Sequence, residues 1–433
     1  MRMFDIINDK KNKKELTDEE IAFFVKGYTY GDIPNYQASA LLMAICMGGF
    51  SEKETITLTR EMANSGDILD LSAINGITAD KHSTGGVGDK TTLIVAPICA
   101  SLGLKIAKMS GKGIGHTGGT VDKLESIDGY NTKLTNDEFF KQVNDIGIAL
   151  IGQTGNLTPC DKKLYALRDV TATVNNYSLI SSSIMSKKIA AGAKNIVLDV
   201  KCGSGAFMKT PDEAKLLAKM MAKIGKVFDR NLTAVITNMD SPLGKNIGNS
   251  LEVIESIDVL KGNGDKRLTE LCLCLSANML EISFKKPYDE CYKMAENSIK
   301  DGSALKKLVQ LVKAQGGNEN LILNPSLFKK GEISYEVKSE KSGFISKMNT
   351  EKIGECAVIL GVGREKLTDE IDFSAGIILK AKTGDYIKKG ETLCTFYTAK
   401  SEKIIFAEGL FKNSIVMSDE PPQSQPVIYE IIK

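Results

Sequence analysis

The sequence predicts an α/β protein in three parts: an N-terminal all-helical domain, a central α/β domain with a mixed or parallel sheet, and a small C-terminal α+β module. Helix-start signals before residue 70, short apolar runs bounded by glycine from about residue 78, and alternating apolar and polar residues in the last hundred positions support this prediction. At 433 residues the chain exceeds a usual single domain. We expect the domains to span residues 1–70, 71–335 and 336–433, with residues 160–192 packing on the helical domain.

The N-terminal segment carries two capping-box signatures. Thr17 stands three positions before Glu20, Ser51 stands three positions before Glu54, and an apolar run follows each pair. In such a box the two side chains satisfy backbone N–H groups that have no partner in the first turn of a helix. A further helix candidate begins at Pro34. The segment is therefore predicted to be helical throughout.

Short apolar runs separated by helical patterns form the central part of the chain. Such alternation is typical of a parallel sheet with crossover helices. Helical patterns at residues 161–168 and 179–191 add a second helical layer, in which Ser183 and Lys187 share one face because they lie four positions apart. The strand candidates are residues 105–109, 147–151, 195–200 and 232–237.

The C-terminal part contains a turn, beginning at Gly384, that resembles the turns of lipoyl and biotinyl carrier domains. Lys347 or Lys400 would then be the carrier lysine. Neither lysine lies in the sequence context of a carrier site, so we favour a structural module.

Composition excludes several classes of function. The net charge of +2 gives no electrostatic footprint for nucleic acid. The nine cysteines are scattered without a zinc-binding pattern, which is typical of reduced thiols in a cytosolic protein. The N-terminus lacks the apolar core of a signal peptide, and no apolar run reaches membrane-spanning length. We therefore expect a cytoplasmic protein with neither nucleic acid nor membrane as a partner.

Both histidines of the chain, His82 and His116, lie in a glycine-rich stretch at residues 81–120 that also contains lysine, serine and threonine. Glycine lets backbone N–H groups approach a ligand closely, while the ammonium and hydroxyl groups supply charge and further donors. This combination predicts an anion site, and phosphate is the anion it suits best.

Three other interpretations of this stretch differ in how well its residues fit them. A nucleotide triphosphatase is disfavoured because Asp89 separates Gly88 from Lys90 and Thr91, which breaks the P-loop order Gly-Lys-Thr. Residues 113–118 match a dinucleotide fingerprint, but a lone fingerprint well inside a chain is a weak signal. Tight turns without a ligand remain the third interpretation.

Three long blocks, at residues 81–89, 110–125 and 181–192, resemble the pyrimidine-nucleoside phosphorylase and thymidine phosphorylase family. Arg168 and the block at residues 203–208 fit the same family. The resemblance implies a homodimeric pentosyltransferase that splits pyrimidine nucleosides with inorganic phosphate into free base and pentose 1-phosphate. It implies phosphate as cosubstrate and no organic cofactor.

The resemblance also implies two sets of site residues. The phosphate would be held by one ammonium, several hydroxyls and backbone N–H groups, from Lys81, Ser83, Gly85, Gly86, Thr92, Ser110 and Thr120. The pyrimidine would be bound by His82, Lys108, Arg168, Ser183 and Lys187.

Each pyrimidine-site residue has an expected role. Arg168 and Lys187 would neutralise charge that develops on the carbonyl oxygens, and Ser183 would bond a ring nitrogen. His82 would donate to the 2-carbonyl or protonate the leaving base. Lys108 favours uridine plus thymidine over thymidine alone.

Some positions depart from the family pattern. Lys112 stands where arginine is usual, so the planar fork of that side chain is lost. A potassium ion is implied at a site made by Gly88, Lys90, Leu243, Asn246 and Glu255. The ammonium of Lys90 can weaken or replace such an ion, so the metal is left open.

Hinge closure between the helical and α/β domains is implied as well, with hinges expected at residues 66–80 and 152–156. Two alternatives to the phosphorylase remain. One is a phosphoribosyltransferase of the same superfamily, which would need a magnesium–pyrophosphate site. The other is a non-catalytic nucleoside-binding protein.

Overall fold

The computed structural model describes residues 1–113, 118–153, 156–364 and 369–433. The helices are α1 (Met3–Lys11), α2 (Asp18–Tyr30), α3 (Asn35–Gly48), α4 (Glu52–Ala63), α5 (Thr91–Ser101), α6 (Thr120–Glu125), α7 (Asn136–Ile146), α8 (Pro159–Asp169), α9 (Tyr177–Ala190), α10 (Pro211–Val227), α11 (Asn249–Leu260), α12 (Lys266–Phe284), α13 (Tyr288–Lys300), α14 (Ser303–Ala314), α15 (Asn320–Leu323), α16 (Thr350–Leu360) and α17 (Ile404–Asn413). The strands are β1 (Ala79–Ser83), β2 (Ile106–Ser110), β3 (Ile148–Gly152), β4 (Asn195–Cys202), β5 (Asn231–Asn238), β6 (Asn246–Ile247), β7 (Ile333–Lys338), β8 (Gly343–Met348), β9 (Gly376–Leu379), β10 (Tyr386–Ile387), β11 (Thr392–Thr398), β12 (Ile415–Ser418) and β13 (Ile428–Ile432).

Helices α1 to α4 form a bundle with α8 and α9, which follow much later in the chain. Leu164 of α8 and Leu179 of α9 are buried in the same apolar core as the side chains of the first helices. The predicted capping boxes at Thr17 and Ser51 are both present and begin α2 and α4. Helices α8 and α9 in segment 160–192 therefore pack on the bundle, and the chain then returns to the sheet at β4.

The central sheet has the strand order β1-β4-β5-β13. Strands β1, β4 and β5 run parallel, while β13 pairs antiparallel with β5. A second parallel pair, β2 and β3, continues from β1 through a bridge between Thr78 and Lys105. The predicted mixed sheet is therefore confirmed, and the four strand candidates correspond to β2, β3, β4 and β5.

The carboxyl ends of the parallel strands meet at one edge of the sheet, where open α/β sheets usually bind their ligands. Strand β1 ends at Ser83, β2 at Ser110 and β4 at Cys202. Helix α5 begins at Thr91, shortly after β1, and almost all of it is buried. The described residues that follow β1 and β2 in the glycine-rich stretch, 84–90 and 111–113, therefore begin at this edge.

The C-terminal module contains two antiparallel sheets, β10-β8-β12 and β6-β9-β11-β7, with α16 and α17. Strand β6 comes from the central part of the chain and pairs with β9 of the module, so the two parts share a sheet. The three-part fold class predicted from the sequence is confirmed, while the domain limits stay a prediction. No helix in the described part of the chain is long and apolar enough to cross a membrane.

Candidate active site

Lys81 lies in the middle of β1 and is buried. Its Nζ donates a hydrogen bond to Thr91 Oγ1 at the start of α5. The same Nζ lies 3.5 Å from Asp199 Oδ2 and 3.9 Å from Asp89 Oδ1. The lysine expected to bind phosphate therefore sits in a cluster of carboxylates rather than alone.

The carboxylates of this cluster are balanced by ammonium groups. Burial acts to raise the pKa of Asp89, but Lys81 and Lys201 outweigh it, and the pKa lies well below its usual range. Lys201 Nζ lies 2.7 Å from Asp199 Oδ2. Asp89 is therefore ionised and does not leave an unbalanced negative charge at the phosphate position.

The loop after β1 depends on its glycines. Gly85 has a positive φ of 98°, and its N–H donates to Ser83 Oγ at 3.2 Å. At Gly86 an added Cβ would come within 2.6 Å of Met239 Cε. Thr92 lies on the first turn of α5 and is buried. Four of the residues expected at phosphate thus lie in one short loop and the helix that follows it.

Ser110 and Thr120, also expected at phosphate, stand at the end of β2 and the start of α6. Between them, His116 and part of the dinucleotide-like stretch 113–118 lie outside the described residues. Lys112, which stands where arginine is usual, forms a half-exposed ion pair with Glu125, 3.0 Å from Nζ to Oε2.

Lys187 and Ser183 meet on α9, as their spacing predicted. Lys187 Nζ lies 2.9 Å from Ser183 Oγ. The same Nζ forms an ion pair with Asp161 Oδ2 of α8. The carboxylate of Asp161 is buried, so it holds the ammonium of Lys187 in a defined place between the two helices.

Arg168 is buried at the end of α8, and backbone carbonyls hold its guanidinium. Nε donates to Thr173 O at 3.1 Å, Nη1 to Leu179 O at 3.1 Å and Nη2 to Val174 O at 2.7 Å. A guanidinium carries five N–H donors, so two remain for a ligand. Burial lowers the pKa of Arg168, with Asp161 opposing.

The ring of Tyr165 lies near both Arg168 and Lys187. These two cations, with Ser183 and Asp161, form what we call the helical site. The ring centroid lies 6.0 Å from Arg168 Cζ and 5.8 Å from Lys187 Nζ, within the range of cation–π attraction. Tyr165 and Asp161 were not predicted from the sequence as site residues. A signal was present, because Asp161, Tyr165 and Arg168 follow one another at spacings of four and three and so share a face of α8.

His82 lies near the end of β1, one position after Lys81. Burial lowers the pKa of His82 well below its usual range, and Lys188, Lys108, Lys187 and Lys81 lower it further. The imidazole is therefore neutral at pH 7 and can donate one N–H. Asp80, two positions before His82 on β1, pairs with Lys188 of α9, so the strand of His82 is held against the helix that carries Lys187.

Lys108 lies on β2, and its Nζ contacts other groups of the protein. Its Nζ lies 3.2 Å from Asp80 Oδ1 and donates to Lys81 O. Asp80 is shared with Lys188 of α9, at 2.6 Å. Burial lowers the pKa of Lys108 to about 7, although Asp80 opposes that change. The structure thus places Lys108 beside the strand that carries His82.

The five residues expected to hold potassium are brought together, and the ammonium of Lys90 occupies their centre. Lys90 Nζ lies 2.8 Å from Leu243 O, 2.8 Å from Asn246 O and 2.6 Å from Glu255 Oε2. Gly88 packs against the same loop, since an added Cβ would lie 2.6 Å from Leu243 O. With Lys90 in this place the residues do not fit a potassium ion.

Comparisons with known proteins agree along the chain. Residues 4–66 match the helical bundle domain of the glycosyl transferase family, residues 75–305 match its a/b domain, and residues 344–418 match the pyrimidine nucleoside phosphorylase C-terminal domain. The chain is 50% identical over 433 residues to a pyrimidine-nucleoside phosphorylase of Geobacillus stearothermophilus, covering 100% of both chains. It is 54% identical over 398 residues to that of Bacillus subtilis, covering 92% of each.

Among solved structures, anthranilate phosphoribosyltransferase from Thermus thermophilus is similar with a TM-score of 0.58 and 16% identity, covering 71% of this chain and 98% of that one. At this identity the likeness extends to the fold alone.

Proposed function

Because the chain belongs to the pyrimidine-nucleoside phosphorylase family, we propose that it cleaves pyrimidine nucleosides with inorganic phosphate into free base and pentose 1-phosphate. The observation that carries this proposal is the ion pair, 2.6 Å long, between Asp80 of β1 and Lys188 of α9, which holds the strand of Lys81 and His82 against the helix that carries Lys187. A phosphate on one side and a pyrimidine on the other would therefore meet at this histidine.

The reaction needs one group that holds the nucleophile and others that accept charge from the leaving base. A phosphate oxygen attacks the anomeric carbon while the bond from that carbon to the base nitrogen breaks. The electron pair of that bond stays with the base and spreads to its carbonyl oxygens. Lys81, Ser83, Thr92, Ser110 and Thr120, with the backbone at Gly85 and Gly86, orient the phosphate.

Stabilisation of the leaving base falls to the helical site. Lys187 and the two free N–H donors of Arg168 face the charge that builds on the carbonyl oxygens. Asp161 acts as a positioning residue, because it fixes the ammonium of Lys187. His82, being neutral, donates a hydrogen bond to the 2-carbonyl, and the base takes its final proton from water or phosphate.

Substrate selection follows from the same donors. Arg168 and Lys187 present only N–H groups. Ser183 can donate its hydroxyl hydrogen to an acceptor, while its oxygen accepts a hydrogen bond from Lys187. Uracil and thymine offer a carbonyl oxygen at the 4-position, whereas cytosine offers an amino donor there. Uridine and thymidine are therefore the proposed substrates, and cytidine is rejected. Lys108 of β2, which contacts the strand that carries His82, is the residue that favours the use of uridine as well as thymidine.

The test is ultraviolet-monitored cleavage of uridine, thymidine and cytidine by the purified protein, with and without inorganic phosphate. Release of uracil and thymine only when phosphate is present, with cytidine inert, is the expected result. Turnover of a phosphoribosyl pyrophosphate donor without use of inorganic phosphate would point to the transferase alternative. Tight uridine binding without base release would point to a binding protein.

A cytoplasmic homodimer is part of the proposal. Large apolar side chains are exposed on the first helices, where Phe4, Tyr36 and Met47 are each more than two-thirds exposed, and a partner subunit would cover them. All nine cysteines are free thiols, as expected in a reducing compartment. Light scattering should give twice the chain mass of 47.0 kDa, and a single-chain mass would contradict the dimer.

A further inference from the structure

The ammonium of Lys90 is buried in a small cage of oxygen atoms. The side chain is 0% exposed, and Nζ lies 2.6 to 2.8 Å from Leu243 O, Asn246 O and Glu255 Oε2. A lysine ammonium has three N–H donors and no acceptor. Three acceptors at hydrogen-bond distance therefore use all of its donors.

The cage has the donor set of a cation site. It offers two backbone carbonyl oxygens and one carboxylate oxygen, the ligands that hard cations and potassium channels use. Its walls are close-packed. An added Cβ at Gly244 would lie 2.4 Å from Glu255 Oε2, and one at Gly88 would lie 2.6 Å from Leu243 O. The cage therefore has room for one cation, and Lys90 supplies it.

The cage also joins three parts of the molecule. Lys90 directly precedes Thr91, which accepts the hydrogen bond of the Lys81 ammonium. Glu255, on α11, accepts from the backbone N–H groups of Lys245 and Asn246 as well as from Lys90. Asn246 begins β6, which pairs with β9 of the C-terminal module. One buried cation thus ties the start of α5 to α11 and to the C-terminal sheet.

We propose that Lys90 is a covalently attached replacement for a bound monovalent cation, so that this chain needs no potassium to hold the phosphate loop against the C-terminal module. Removing the ammonium would leave the Glu255 carboxylate buried beside two carbonyl oxygens without a compensating charge, which is strongly unfavourable. A free cation of similar size can then enter the vacated cage. Replacing Lys90 with a small uncharged residue should therefore convert a protein indifferent to potassium into one that binds it.

The test compares thermal unfolding of the wild-type protein with that of Lys90→Ala and Lys90→Met, in potassium, ammonium, sodium or tetramethylammonium chloride at one ionic strength. The wild-type Tm should be the same in all four salts. Lys90→Ala opens the cage, so its Tm should be lower in tetramethylammonium and rise by about 2 °C or more in potassium or ammonium. Lys90→Met fills the cage with an uncharged chain of similar length, so no salt should restore its Tm.

Phosphorolysis kinetics in the same salts give a second readout. Because the cage adjoins Thr91 and the phosphate loop, the KM for phosphate of Lys90→Ala should be raised in tetramethylammonium and lowered again by potassium. The unfolding data need no nucleoside, so they decide the inference even if the proposed reaction fails.

Two outcomes would overturn the inference. A potassium-specific rise in the wild-type Tm would show that an ion binds despite Lys90. A Lys90→Ala protein that responds equally to all four salts would show that the cage is an ordinary ion pair. If Lys90→Ala folds in none of the salts, potassium and ammonium have failed to replace the side chain, which also counts against it.

Discussion

His82 illustrates how a residue's surroundings decide its chemistry. A free histidine has a pKa of about 6.5, but burial and four nearby lysines lower the pKa of His82 well below that value. Its role as a neutral hydrogen-bond donor follows from this environment. The alternative role considered from the sequence, protonation of the leaving base, would require a cationic imidazole among like charges.

We predict that His82 stays neutral as the pH falls below the ordinary histidine pKa of about 6.5. The chain has only two histidines, so imidazole NMR resolves both, and His82→Gln assigns them by loss of one signal. Because an unfolded histidine takes up a proton near pH 6.5 and folded His82 does not, the free energy of unfolding should fall as the pH drops below that value. His82→Gln should lose this part of the pH dependence. A His82 signal that titrates at pH 6.5 or above would contradict the prediction.

The residues expected to bind the substrates were predictable only in part. Lys81, Arg168, Ser183 and Lys187 came from the family resemblance, and only the shared face of the last two came from their spacing. Asp161 was missed as the partner of Lys187, because a charged residue on a helix usually belongs to a solvated face. Its burial depends on α9 packing across α8, which local sequence does not reveal.

Of the three chain connections between the helical bundle and the sheet, those from α4 to β1 and from β3 to α8 are bonded to each other. Asp67 N donates to Asn156 O at 3.0 Å, and Asn156 Nδ2 donates to Asp67 Oδ1 at 2.8 Å. Both residues belong to the segments expected to act as hinges, of which residues 154–155 lie outside the described ranges. Gly66 stands beside this contact, and an added Cβ would lie 2.0 Å from Asn156 O.

We predict that Gly66→Ala forces these connections apart. Overpacking of this kind typically destabilises a protein by about 1–3 kcal/mol. Both the Tm and kcat/KM should fall, since the position of the bundle over the sheet edge changes. Gly409→Ala on α17 is the matched control: an added Cβ there meets no atom within 4 Å, and a helix interior favours alanine over glycine. Equal losses in the two variants would show that the contact with Asn156 is not the cause.

Elements were easier to predict than their partners. The apolar runs and capping boxes gave the helices α2 and α4 and the strands β2 to β5 because these signals are local. The pairing of β13 with β5 was not predicted, since a strand at the end of the chain carries no sign of which sheet edge it will join. The contribution of β6 to the C-terminal sheet was missed for a different reason, because a strand of only two residues is too short to show a period-two pattern.

At the scale of the whole molecule, two groups of cationic side chains lie in different layers, the sheet and the helical bundle. Lys81 belongs to the sheet edge, while Lys187 and Arg168 belong to helices α8 and α9 of the bundle. The three-part architecture was predictable because each part has its own pattern of apolar residues. The contact between the layers was not, because it depends on side chains such as Lys188 and Asp80 that meet across 108 positions of sequence.

The measurement that tests this division most directly is the pair of KM values, for phosphate and for uridine, in Lys81→Met and Lys187→Met. Removing one charge-assisted contact typically costs about 1.5–3 kcal/mol, or about 10- to 100-fold. Lys81→Met should raise the KM for phosphate by that factor and leave the KM for uridine near its wild-type value. Lys187→Met should lower kcat and raise the KM for uridine instead, with unfolding curves confirming that both variants are folded. Two folded variants that change both KM values alike, or a Lys81→Met protein with unaltered use of phosphate, would contradict the assignment of the two sites.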